Sequence, residues 1–591
     1  MKTTTPLVPK TVQLTWVAAS VLQVSLSPSA LGADLTDPRL TSWLTACSGQ
    51  YARVYTNNAM KTSGVASATW GNGSQNQSLP AYAGVQEIYS SANWLYIRSS
   101  GLASHIMGPW QNGSFPNLPL NTKTFWRFPR TNSLPAAKTL TPGGAIGYFV
   151  DGVAMFDSRD AFYWNGSTDT QGAGYWNRDA FVNEGLTFDP AYAHQPQDGT
   201  HHYHASPIAL RYQLGDHVDY DPATDTYAEA SNALTRHSPI LGWVADGYPV
   251  YGPYGFASAS NSASGLRRMV SGYVLRDGQN GTSNLTATGR TTIPQWAARL
   301  YNVAANVLAG PPVSASYPLG RYMEDNEYLG DLARTQGVDF DLDEYNGRWC
   351  VTPEFPNGTY AYFVSVSSNG TPVFPYNIGR AYYGSPTGGK VTAFSESVTT
   401  NFLGGANWRE SLNPPTRAGN NLVLTWSALE GGTYRVEAES SLSGSNWVSL
   451  GSNTVAGSST GVFTETNAAS GLVRCYRAAR TALAAYDPVS GSGSGGAFAA
   501  PGGSVSRGAG TNITVTITLP TTPPQPPAGN VPTSVTLAGS ISGMGLSRPT
   551  TGTVVASFAI PANAPLSAQN IVIVFNPAPT YTLTGAFTIN P

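Results

Sequence analysis

Apolar and polar positions alternate with a period of two along much of this chain, the pattern of strands that bury one face. Between residues 410 and 485 the segments NLVLTW, GGTYRVEAES, NWVSLGS, GVFTETN and LVRCYRAAR alternate between turns and predict a small β-sandwich of about seven strands. SGSGSGGAFAAPGG at 490–503 has the composition of a flexible tether, so 486–503 reads as a linker. Beyond it TNITVTITLP, PTSVTLAGSI, GTVVASFAIP, QNIVIVFN and TYTLTGAFTIN predict a second, immunoglobulin-like sandwich over 504–591. The part from 34 to 405 is rich in Trp, Tyr and Asn and contains every histidine, so any chemistry is expected there.

Within that part the chain echoes itself. GYFVDGVAMF at 147–156 and GWVADGYPVY at 242–251 share a Gly-aromatic start, a central Asp-Gly and an aromatic end. Asp-Gly between apolar runs signals a two-residue hairpin whose turn positions take positive φ. Two similar hairpins are expected, with Asp151 and Asp246 as turn residues. The fold class is therefore mainly β: a large β-rich N-terminal domain followed by two small β-sandwiches.

Composition agrees. Only 11% of the 591 residues are charged, while Gly (63) and Pro (43) are abundant, as in turn-rich β proteins. A net charge of −2 and the lack of any Lys/Arg run argue against nucleic acid as a partner. Lys2 and Lys10, then TVQLTWVAASVLQVSL, then SPSALGA have the order of a secretory signal over 1–33, cut after Gly32 or Ala33. Gln13, Ser20, Gln23 and Ser25 make the same stretch a poor membrane anchor. A mature chain without a membrane span, secreted, periplasmic or at the cell surface, is expected. Cys47, Cys350 and Cys475 permit one disulfide at most, Cys47 with Cys350 being the candidate pair.

Six of the seven histidines fall between His194 and His237, three of them in DGTHHYHASP at 198–207. On a strand, His202 and His204 share a face with Tyr203 opposite. A His-x-His pair can hold zinc or copper with one or two further ligands, for which His194, His217 and His237 are near in sequence. His201 or Tyr203 could orient such a ligand, and Asp246 is kept as a supporting carboxylate. The competing interpretation is a core whose imidazoles merely make hydrogen bonds. Two acidic runs, DHVDYD at 216–221 and DFDLDE at 339–344, and the group Glu324, Asp325, Glu327 read as solvated turns. GSPTGGKV at 384–391 lacks the Ser or Thr of a phosphate-binding loop.

AHQPQDGTHHYHASP at 193–207, HSPILGWVADGYPVYGPYG at 237–255 and LDEYNGRWCVTPEFPNGTYAYFV at 342–364 together resemble the YHYH domain of secreted bacterial proteins, over roughly residues 85–385. His201 stands where the motif has its first Tyr, and Tyr345 stands where the family often carries Cys. The resemblance also places family histidines at His194 and, in SSGLASHIMGPW, at His105, so His105 joins the candidate ligands. The 410–485 segment, with its TW strand and late Tyr-Arg strand, resembles fibronectin type III-like modules of bacterial surface proteins. These resemblances imply fold and site rather than an activity. Two functions stay open: a metal-dependent site, hydrolytic or redox, acting on an unknown small molecule, or a non-catalytic surface protein that binds glycan or protein partners through aromatic loops.

Overall fold

The two Asp-Gly segments form hairpins that lie side by side at the centre of one sheet. In the computed structural model, residues 36–72, 75–110, 116–440, 446–468, 474–489, 497–500, 503–506, 512–522, 524–527, 530–561, 564–565, 567–576 and 579–590 are described. The expected signal sequence and half of the expected linker, 490–496 with 501–502, lie outside them. Eight strands make the central sheet: β1 (Ala145–Phe149), β2 (Ala154–Phe156), β3 (Ala193–His194), β4 (His202–Tyr203), β5 (Ile240–Val244), β6 (Pro249–Tyr251), β7 (Gly347–Cys350) and β8 (Thr359–Phe363). Their spatial order is β3-β4-β2-β1-β5-β6-β8-β7.

That order is a duplication. β1 and β5 pair antiparallel, with Tyr148 opposite Trp243, Gly147 opposite Val244 and Phe149 opposite Gly242. A Cβ on Gly147 would come within 2.3 Å of the Trp243 carbonyl oxygen, and one on Gly242 within 2.6 Å of that of Tyr148, so the seam requires glycine on both sides. Each hairpin is then flanked by a parallel strand, β4 against β2 and β8 against β6, and each of these by an antiparallel one. Tyr203 sits opposite Met155 as Tyr362 sits opposite Val250, and Met155 and Val250 hold the same place in their hairpins. By this register His202 corresponds to Ala361 and His204 to Phe363. Only one half of the duplicated sheet carries imidazoles.

The turns differ from the expected two-residue type. The Phe149 N–H donates to the Val153 carbonyl and the Val244 N–H to that of Tyr248, closing three-residue loops, within which the Gly152 N–H donates to the Phe149 carbonyl and the Gly247 N–H to that of Val244. Only the glycines take positive φ, 79° at Gly152 and 80° at Gly247. Asp151 and Asp246 instead accept the N–H two residues on, from Val153 and Tyr248, which keeps them in the ordinary region of φ.

The central sheet buries Phe149, Val150, Tyr203, Trp243, Val250 and Tyr362 in one apolar core. A second sheet of five strands runs Gly389–Lys390, Thr124–Pro129, Trp94–Ser99, Val85–Ser90, Thr399–Leu403, and its Ser99 hydroxyl donates to the Gly152 carbonyl at 2.8 Å. Helix α1 (Ala180–Glu184) is five residues long; Asp179 caps it by accepting the Val182 N–H, and the Tyr376 hydroxyl donates to the same carboxylate. A 3-10 turn, Gly185–Thr187, follows directly and fixes Glu184 and Thr187 beside β3.

The chain divides into two compact units, the described residues of 31–408 with 485–591, and those of 409–484. The second comprises sheets of three and four strands around Leu424, Trp426 and Tyr434. Residues 497–590 make sheets of four and five strands with a separate core of Ile513, Val515, Phe558, Ile571 and Phe587. The described residues are mainly β. All three cysteines are free, so the Cys47–Cys350 pairing is absent; the Cys47 thiol donates to the Trp43 carbonyl instead.

Candidate metal centre

Strand register brings three histidines together. β3 and β4 set His194 directly opposite His202, and His204 follows two residues along on the same face. One nitrogen from each of the three lies within 4.8 Å of the others. His202 Nε2 and His204 Nε2 stand 3.0 Å apart, and the His194 and His202 ring centroids 4.6 Å apart.

The opposite ring nitrogens fix the tautomers. His202 Nδ1 donates to the Thr200 carbonyl at 2.9 Å and His204 Nδ1 to that of Asp157 at 2.7 Å. Thr187 Oγ1 gives its proton to the Glu184 carbonyl, so at 2.6 Å it accepts from His194 Nδ1. A neutral imidazole has one N–H, so all three present lone pairs from Nε2. Burial, reinforced by neighbouring imidazoles, lowers the pKa of His194 to about 2 and holds His202 well below the usual range; burial brings His204 to about 4. The rings are therefore neutral near pH 7.

Glu184, which the sequence did not single out, completes the cluster. Its Oε2 lies 3.3 Å from His204 Nε2 and 3.6 Å from His194 Nε2, is buried, and has no hydrogen-bond partner. Burial, with Asp160 nearby, raises this carboxyl to about 8. Nothing in AFVNEG marks the glutamate, because only the turn after α1 carries it to the histidines. Phe156 walls the site, stacked on His202 at 3.8 Å between centroids and edge-on to His204 at 5.6 Å. The three imidazoles and Glu184 open on a cavity of about 770 Å³ that Asn117, Arg159, Gln171 and Asn183 also line.

Other candidates lie elsewhere. His105 Nε2 bonds the Tyr203 hydroxyl at 2.7 Å on the far face of β4, and its Nδ1 meets the Ile106 carbonyl. Tyr203 points into the core beside Asp151 and Asp189 and orients no ligand nitrogen of the three. His201 is fully buried with Nδ1 on the Gln195 side-chain oxygen, and strand alternation turns it to the face of Tyr203's neighbours rather than to Glu184. His237 is boxed by Tyr251, Phe256 and Phe363, with Nδ1 at the Ser238 carbonyl. Asp246 accepts the Tyr362 hydroxyl at 2.6 Å and the Gly384 N–H at 2.9 Å, and so serves its turn. The acidic runs are solvated only in part: Asp219, Asp221 and Asp339 are exposed, whereas buried Asp216, Asp341 and Asp325 pair with Arg211, Arg267 and Arg290, and Glu324 accepts from Asn177.

Residues 125–374 match the family described as YHYH protein. The matched region holds the duplicated hairpins, the three histidines and Glu184, while His105 precedes it. A comparison with curated proteins gives no match.

Proposed function

We propose that the YHYH region binds a transition-metal ion, zinc or copper, through Nε2 of His194, His202 and His204, and leaves a coordination position facing the cavity. One observation carries this reading: two imidazoles whose protons are committed to backbone carbonyls aim their remaining lone pairs at each other across 3.0 Å. The donor set fits the ion. Three neutral nitrogens suit zinc or copper, and no cysteine joins the group.

Three protein ligands with an open side are the arrangement of catalytic rather than structural sites. When bound, such an ion supplies Lewis-acid chemistry, polarising a carbonyl or activating water, and copper adds one-electron chemistry. The protein's own part is to hold the rings by Thr200, Asp157 and Thr187, to exclude solvent with Phe156, and to keep Glu184 at the edge as a ligand or a proton carrier. We read the region as a metal-dependent enzyme, hydrolytic with zinc.

A second reading, recognition of glycan or protein partners, is favoured by Trp349, which is 57% exposed and donates to the Tyr383 hydroxyl at 2.7 Å. The order of features in residues 1–33 supports export, and no helix among the described residues is long and apolar enough to cross a membrane. Calorimetric titration of the whole chain with zinc tests the metal reading. Binding of about one ion per chain at micromolar or lower Kd, lost in His204→Ala, is expected; no heat at micromolar zinc or copper would sink it.

A further inference from the structure

The cavity that the histidines line also holds an arginine without a matching carboxylate. Arg159 is 9% exposed in its side chain. Its nearest carboxylate oxygen, Asp157 Oδ2, is 4.0 Å from Nε, and the same oxygen lies 3.8 Å from Arg380 Nη1 and accepts the Thr141 hydroxyl at 2.8 Å. Two guanidinium groups thus share one carboxylate, leaving one positive charge in excess. Among the described residues Arg159 Nε is buried with no hydrogen-bond partner, and Nη1 reaches only the Gly172 carbonyl, at 3.4 Å.

The two most deeply buried arginines, Arg211 and Arg290, are matched. Arg290 grips Asp325 with two bonds of 2.6 and 2.7 Å, and Arg211 holds Asp216 at 2.7 Å as well as Glu229. Asp160, the residue next to Arg159, is taken by Arg178 at 2.8 Å. A buried cation with unmet donors is costly unless a partner of opposite charge arrives. Guanidinium is also the side chain whose planar fork fits carboxylate and phosphate oxygens. Gly143, which also lines the cavity, leaves room beside the group: a Cβ there would stand 3.2 Å from Arg159 Nη2.

We propose that Arg159 binds an oxyanion group, carboxylate or phosphate, on the ligand of this cavity, while the metal position takes another of that ligand's atoms. The inference rests on the metal reading above. A cavity of about 770 Å³ has room for a small molecule that carries such a group, with Asn117, Asn183 and Gln171 available to its neutral polar part.

The test uses the whole chain loaded with zinc, titrated calorimetrically with sodium acetate and separately with inorganic phosphate. Arg159→Met should weaken the preferred anion about tenfold or more while leaving zinc affinity unchanged, and Arg159→Lys should recover part of the loss. Should Arg159→Met not fold, Arg159→Lys alone carries the comparison, with a several-fold loss expected. The stronger of the two anions identifies the group. Equal binding by variant and wild type, or no binding of either anion up to about 10 mM, overturns the proposal. Failure of wild type to take up zinc instead overturns the metal reading, and anion binding by the metal-free chain that Arg159→Met abolishes would still uphold the role of Arg159.

Discussion

His202 and His204 face each other Nε2 to Nε2 at 3.0 Å, although each spends its one proton on a backbone carbonyl through Nδ1. Two lone pairs at that distance repel, and only a cation or a shared proton between them makes the contact favourable. Removing either ring should therefore cost affinity out of proportion to its size. His202→Ala and His204→Ala are each expected to weaken zinc binding by roughly 100-fold or more, read by competition with a chromophoric chelator. A loss smaller than tenfold in both would mean the ion sits elsewhere.

Thr187 acts on the metal through His194. Its hydroxyl accepts from His194 Nδ1 at 2.6 Å, fixing the tautomer that turns Nε2 inward. Thr187→Val keeps the shape and removes the acceptor. Zinc affinity should fall by about 10- to 100-fold, with stability changed by only about 1 kcal/mol. Chemical denaturation of the metal-free chain separates the two effects, and unchanged affinity would make Thr187 a packing residue.

Glu184 carries a buried oxygen without a hydrogen-bond partner, so its charged form is disfavoured until a cation arrives. Glu184→Gln should leave the metal-free protein as stable as wild type or more so, yet weaken zinc binding by about tenfold. A variant that unfolds more easily without metal would show that the carboxyl already contributes to the empty fold.

Asp343 offers a pH test away from the cluster. Its Oδ1 accepts from Tyr360, Tyr345 and Gly347, and burial raises the acid to about 7, with Glu344 adding to the shift. A folded value above the unfolded one favours the protonated form in the native state, so this stabilisation is full below about pH 4 and is lost as pH rises through 7. Asp343→Asn keeps the Oδ1 bonds and cannot ionise. Relative to wild type it should gain stability between pH 4 and pH 8, by up to a few kcal/mol, in paired urea titrations. A stability difference independent of pH would contradict the assignment.

The parts of this site that the sequence revealed are those that local pattern determines. Alternation alone places His202 and His204 on one face, and the Asp-Gly echo reveals both hairpins, because each depends on neighbours in the chain. Pairing across strands is not local: His194 meets His202 only through the β3–β4 register, and Glu184 arrives through a five-residue helix with no periodicity to betray it. The same limit explains His237 and His105, near or family-like in sequence but set in non-strand segments that face Tyr251 and Tyr203. The turns depart from the two-residue type because the Asp side chains cap their own loops, a contact that leaves the Asp-Gly spelling unchanged.

X-ray absorption at the zinc edge, on the whole chain loaded with one equivalent of zinc, tests the central claim most directly. The account predicts three imidazole nitrogens at about 2.0–2.1 Å plus one oxygen donor, reduced to two imidazoles in His194→Ala. A first shell with one imidazole or none, or a spectrum that His194→Ala leaves unchanged, would contradict it.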